Sequence, residues 1–208
     1  MGLFKALKEI KQTVAGDSAL MEHGLLGRAL VTDARLTGMA MTIGVEEYRV
    51  VEFTAQVFLD GREAYLATGK QRIPQWRLGQ LVGSSLAVRV DPADPQRIAL
   101  DLSAEAPVVT LARPADGGAA RILATGRPAE ATILQHQPLG LRSWDGHDVH
   151  VFAMVVTAPG EAPRQVQVGQ PLPLEALALV FPGARVPVKL GAGPNDVAVD
   201  WAAARAAV

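Results

Sequence analysis

From Gly24 onward, apolar and polar positions alternate in short runs, and this pattern predicts β-strands half-buried against a core. Val51, Phe53, Ala55, Val57 and Leu59 fall on one face of such a run, with Glu52, Thr54 and Gln56 on the other. Leu86, Val88 and Val90 alternate likewise, as do Ile98, Leu100 and Leu102. Asp60-Gly61 is a hairpin signal, because glycine reaches the positive φ that primed turns require. The stretch from Asp91 through Pro92, Ala93 and Asp94 to Pro95 predicts a tight connection, since proline donates nothing to a ladder. Pro173 to Leu179 reads either as a helical turn or as a strand, because the run is too short for its period to decide.

The pattern occurs twice. Gly83, Leu86, Val88, Arg89 and Val90, then Pro95, Ile98, Ala99, Leu100 and Asp101, recur in order as Gly183, Val186, Val188, Lys189 and Leu190, then Pro194, Val197, Ala198, Val199 and Asp200. Upstream, Ile73-Pro74 matches Leu172-Pro173, and Val51 to Gly61 matches Val149 to Gly160. Gly24 to Gly38 pairs more loosely with Gly126 to Gly140. The match spans about 75 residues per copy, and repetition over that length points to duplication. The expectation is an all-β chain of two tandem, small, about five-stranded barrels or sandwiches. Residues 24–102 form the first and 126–201 the second, with a hairpin or linker over 103–125 and a tail over 202–208. Within 103–125, Val108 to Leu111 and Ile122 to Leu123 are read as pairing across Asp116-Gly117-Gly118.

Ahead of the strands the period changes. Leu3, Phe4, Leu7, Ile10 and Val14 follow helical spacing, with Lys5, Lys8 and Lys11 off that face. An amphipathic helix over residues 1–16 is expected. A helix of that length is marginal alone in water and requires a partner surface. It docks on protein, or lies on a membrane with its lysines toward anionic headgroups.

Composition narrows the function classes. Apolar residues make up 49% but aromatic residues only 5%, so the core must be built from Val, Leu, Ile and Ala. A net charge of −1 argues against nucleic-acid binding by bulk electrostatics, which needs a clustered basic surface. The chain has no cysteine, which excludes disulfides, thiol catalysis and thiolate metal sites. No run resembles a signal peptide or reaches the length of a membrane span. The expected setting is cytoplasmic, at most peripheral to the inner membrane face.

Candidate chemistry is sparse. Asp145, His147, Asp148 and His150 form the densest polar cluster, and His and Asp are metal ligands. On a regular strand, however, His147 and His150 point to opposite faces, so a polar turn is the preferred reading and no metal or cofactor is expected. Trp76-Arg77 and Trp144 suit ligand stacking, but core or rim packing is preferred for them. Asp101 and Asp200 recur with the repeat, which suggests a role at the strand end. Neither a phosphate-binding glycine loop nor a serine nucleophile elbow is present.

Val88, Val90, Asp91, Pro92, Asp94 and Pro95, behind a strand ending in a glycine turn, resemble a bacterial domain family of unknown function with a V-x-V-D-P-x-D-P motif. Tandem copies behind a short Gly-Leu-Phe helix are similar to uncharacterised actinobacterial proteins. The second copy departs from the motif, with Gly191-Ala192 in place of Asp-Pro. The resemblance implies a fold and no activity. The preferred functional reading is a non-catalytic interaction or scaffolding protein that binds a protein partner or itself, with membrane contact through the helix as an extension. Small-ligand or single-stranded nucleic-acid binding on a barrel face ranks second, and a metal-dependent enzyme third.

Overall fold

The computed structural model describes residues 18–115 and 118–207. The expected helical face of Leu3, Phe4, Leu7, Ile10 and Val14, with Lys5, Lys8 and Lys11, lies outside the described residues. The chain is mostly β and divides into two compact units, residues 1–109 and 110–208. Among the described residues, no helix is long and apolar enough to cross a membrane.

In the first unit, a helix over residues 18–23 (α1) leads into β1 (Leu25–Ile43), β2 (Glu46–Phe58) and β3 (Tyr65–Pro74). A 3-10 segment (Gln75–Gln80) follows, then β4 (Ser85–Val90) and β5 (Ile98–Asp101). The strands form one sheet in the order β3-β2-β1-β4-β5, and every pairing is antiparallel. The long β1 carries both neighbours at once: its Arg28–Leu30 stretch pairs with β2 on one side and β4 on the other. A bulge between Val31 and Asp33 interrupts the β1–β2 ladder. Bulges bend the bulged strand and raise its local twist. The alternation seen in sequence sets the core: Val51, Phe53, Ala55 and Val57 are all buried, packed with Ile73, Val88, Val90 and Leu100. Gly61 takes φ +66°, as the Asp-Gly turn signal requires.

The second unit has the same order of parts. A helix α2 (Gly118–Thr125) precedes β7 (Arg127–Arg142), β8 (Asp148–Thr157) and β9 (Arg164–Leu172). A second 3-10 segment (Leu174–Leu179) leads to β10 (Arg185–Leu190), β11 (Val197–Val199) and α3 (Trp201–Ala206). The sheet runs β11-β10-β7-β8-β9, with the two-residue β6 (Val109–Thr110) added against β7. Its bulge falls between Ile133 and Gln135. The turn beyond each 3-10 segment is tied in the same way: Gly83 donates to the Val31 carbonyl at 2.8 Å, and Gly183 to the Ile133 carbonyl at 2.7 Å. Both glycines have positive φ, 83° and 90°, where a side chain would be strained.

Two expectations change. Ile122 and Leu123 do not pair in a hairpin; they sit in α2. Its Ala-rich sequence favours helix, and the Gly126 N–H closes it on the Ile122 carbonyl at 2.7 Å, as Gly24 closes α1 on Leu20 at 2.8 Å. The C-terminal segment is likewise no loose tail. Asp200 caps α3 by accepting from the Ala203 N–H at 3.0 Å, which satisfies an amide that the first helical turn leaves open. Trp201, the last residue of the expected second domain, is the first residue of this helix and is buried.

Candidate functional site

The sequence-predicted site residues separate into three places. Trp76 and Arg77 lie on the 3-10 segment of the first unit. Trp76 is 64% exposed, and the Arg77 guanidinium lies 4.8 Å from its ring centre. Trp144 lies in the turn after β7, 52% exposed, with the Arg113 guanidinium 4.8 Å from its ring. Such cation–π pairs hold an exposed indole in one orientation at small energetic gain.

His147 and His150 are not brought together. His147 belongs to the turn organised by Ser143, whose buried hydroxyl meets the His147 backbone N–H at 3.1 Å and carbonyl at 2.9 Å. His150 lies on β8 and faces the sheet interior, where it meets His136 of β7. Their Nδ1 atoms are 3.1 Å apart. The ring centres are 5.2 Å apart, a separation that exceeds the nitrogen separation by roughly two ring radii. The nitrogens therefore sit between the rings and point at one another, as in an N–H···N hydrogen bond. Phe152, fully buried, stacks against both imidazoles at 5.8 and 6.2 Å and meets the Trp201 ring at a tilt, 5.7 Å between centres. Burial and the neighbouring His136 push the His150 imidazole below its ordinary pKa, against the opposing pull of Asp148. The sequence reading missed His136. Its meeting with His150 follows from the β7–β8 register, in which His136 stands opposite Phe152 and Pro138 opposite His150. That register includes irregularities on either side of His136, which sequence spacing does not reveal.

A third feature was also missed, and it occurs in both units. The 3-10 segments and the residues just beyond them turn large apolar side chains outward. In the second unit these are Leu174, Leu177 and Phe181, exposed by 80, 47 and 56%. In the first they are Trp76 and Val82. The segments start alike, with Pro74 and Pro173 at φ −56° and −59°. The signal available in sequence was the run Leu174-Glu-Ala-Leu177, where a short apolar stretch has no partner period.

The interiors of the two units are filled. Phe53, Ile73 and Leu100 occupy the first, and Ile133, Phe152 and Met154 the second, all essentially without solvent access. Among the described residues, no group of three or more acidic or histidine side chains is placed to hold a metal ion. No family model, curated protein or solved structure matches the chain.

Proposed function

We propose that the chain is a tandem duplication of one small β-domain that acts as a non-catalytic, self-associating interaction protein. The observation that carries this reading is the outward apolar face of the 3-10 segment, present in both units. Large apolar side chains left in water cost free energy that an interface recovers, at about 25 cal/mol per Å² removed from solvent. The interiors are packed with side chains, so recognition falls to the outer surface. A second copy of the chain is the occupant that suits it, because like surfaces on two copies meet in a closed, two-fold contact. A net charge of −1 adds little long-range repulsion between copies.

Sedimentation velocity over a concentration series tests the reading. The expected result is reversible association that Leu174→Asp with Phe181→Asp weakens at least tenfold, with the circular dichroism unchanged. A wild-type chain that stays monomeric throughout the series overturns it.

The exposed Trp76–Arg77 and Trp144–Arg113 pairs favour one further reading, base stacking with single-stranded nucleic acid. It predicts a salt-dependent rise in fluorescence anisotropy of a labelled oligonucleotide, lost in Trp76→Ala/Trp144→Ala.

A further inference from the structure

We propose that His136 and His150 form a proton-sharing latch in the second unit, which opens on mild acidification and loosens α3. The pair has room for one proton between its Nδ1 atoms: one nitrogen donates and the other accepts across 3.1 Å. A neutral imidazole carries a single N–H, so the two rings hold opposite tautomers. A first added proton goes to an outer Nε2 and leaves the shared bond in place. A second must go to the accepting Nδ1, which would set two N–H groups and two positive charges head to head. One ring must then turn away.

The surroundings give that movement a consequence. Both imidazoles stack on Phe152, and Phe152 packs on Trp201, the first residue of α3. Trp201 is otherwise held by its indole N–H, which donates to the Pro171 carbonyl at 3.0 Å. Charged groups on the surrounding elements do little to favour a doubly protonated pair. On β8 the charged residue is Asp148, paired with Arg142 of β7 at 3.5 Å. The other charged residues of β7 are Arg127 and Glu130, at its opposite end. β9 sets neutral Gln170 opposite His150 and carries its one charge, Arg164, at its far end. On α3, Arg205 pairs with Glu175 at 3.0 Å. Among the described residues, Asp148 is thus the carboxylate that acts on the pair, and Arg142 already engages it.

The emission of Trp201 reports the latch. In the full chain with Trp76→Phe and Trp144→Phe, Trp201 is the single tryptophan. Titration from pH 8 to pH 5 is expected to show a transition with its midpoint below about 6.5, the ordinary imidazole value. His136→Gln/His150→Gln should abolish it, and His147→Gln should leave it unchanged. A flat titration, a transition that survives the double substitution, or one lost with His147 overturns the proposal. Because the double variant risks misfolding, long-range proton–nitrogen correlation on the wild-type chain at pH 8 supplies an independent arm. One of the two rings should be protonated on Nδ1. Two rings protonated on Nε2 alone overturn the proposal.

Discussion

Gln71 holds Leu100 by both of its backbone groups: its side-chain amide donates to the Leu100 carbonyl at 2.8 Å, and its carbonyl oxygen accepts from the Leu100 N–H at 2.7 Å. The two residues belong to β3 and β5, the end strands of their sheet. The sheet therefore curls until its edges approach, and one side chain fills the gap that a backbone ladder would otherwise close. In the second unit Gln170 of β9 does the same for β11, donating to the Val197 carbonyl at 2.6 Å and accepting from the Val199 N–H at 2.8 Å. An open sheet edge is a template for wrong pairing, and the glutamine at each seam satisfies one N–H and one carbonyl of it.

Substituting these glutamines should destabilise the two units unequally. Gln170 is 4% exposed, whereas Gln71 is half-buried. Leucine at either position leaves one N–H and one carbonyl without a partner, and each buried unsatisfied group costs about 1–3 kcal/mol. Gln170→Leu should therefore lower stability by about 2–4 kcal/mol. Gln71→Leu should cost about half as much, because Gln71 borders solvent, which can replace part of the lost bonding although Leu100 itself is buried. Urea unfolding followed by Trp201 for the second unit and by Trp76 for the first measures both. Equal losses would mean that the seam bonds are equally wet.

Asp101 is expected to make the first unit sensitive to acid. It is almost fully buried and accepts from the Arg89 guanidinium at 3.1 Å, the Ser103 hydroxyl at 2.7 Å and the Ala104 N–H at 3.0 Å. Burial pushes its carboxyl up, but the bonds from Ser103, Arg89 and Ala104 outweigh burial and hold it below the ordinary value. With the folded pKa below the unfolded one, the unfolded chain binds the proton first as pH falls. This stabilisation is thus complete above about pH 4 and is lost as pH drops through the folded value. Asp101→Asn should cost about 1–3 kcal/mol at pH 7 and flatten the acid limb of the stability curve. The limb is not abolished, because backbone bonding to Ala93 lowers Asp91 and the Arg127 bond lowers Glu161. Thermal unfolding at pH 7 and at stepwise lower pH checks this; an unchanged slope would show that Asp101 is not held low.

The strands were legible because each buries one face: Val51, Phe53, Ala55 and Val57 announce β2 without reference to any other segment. The recurring turns were legible for a similar reason, since Gly61, Gly83 and Gly183 take a backbone geometry that few residues share. The role of Asp101 and Asp200 at the strand end was visible as recurrence, though not as capping. What escaped was whatever depends on register across strands. The meeting of His136 with His150, and of Gln71 with Leu100, is set by bulges and by the curl of the sheet, and no local period encodes either. The helix over Gly118–Thr125 escaped because eight residues flanked by glycine read equally well as one arm of a hairpin. It is held by packing on β10 and β11, a tertiary cause.

Gly69 and Gly169 provide the sharpest test of packing. On β3, Gly69 stands opposite Phe53, and a Cβ at Gly69 would lie 2.4 Å from the Phe53 ring, which is itself fully buried. The phenyl ring covers the bare backbone of Gly69, so a methyl there forces the ring out of a close-packed core. Such overpacking costs about 1–3 kcal/mol. On β9, a Cβ at Gly169 would meet only the Leu139 side chain, at 3.6 Å, an ordinary contact. There alanine should be neutral or gain up to about 1 kcal/mol by restricting the unfolded chain. Gly69→Ala is therefore expected to lower the unfolding midpoint of the first unit, while Gly169→Ala holds or raises that of the second. At the position of the second sheet that corresponds to Gly69 stands Val168, opposite Phe152; there Phe152 leans on Trp201 instead. The first unit has no tryptophan to receive a displaced Phe53: its one indole, Trp76, is turned to solvent. A Gly69→Ala chain with wild-type stability would show that the Phe53 ring can move without that support.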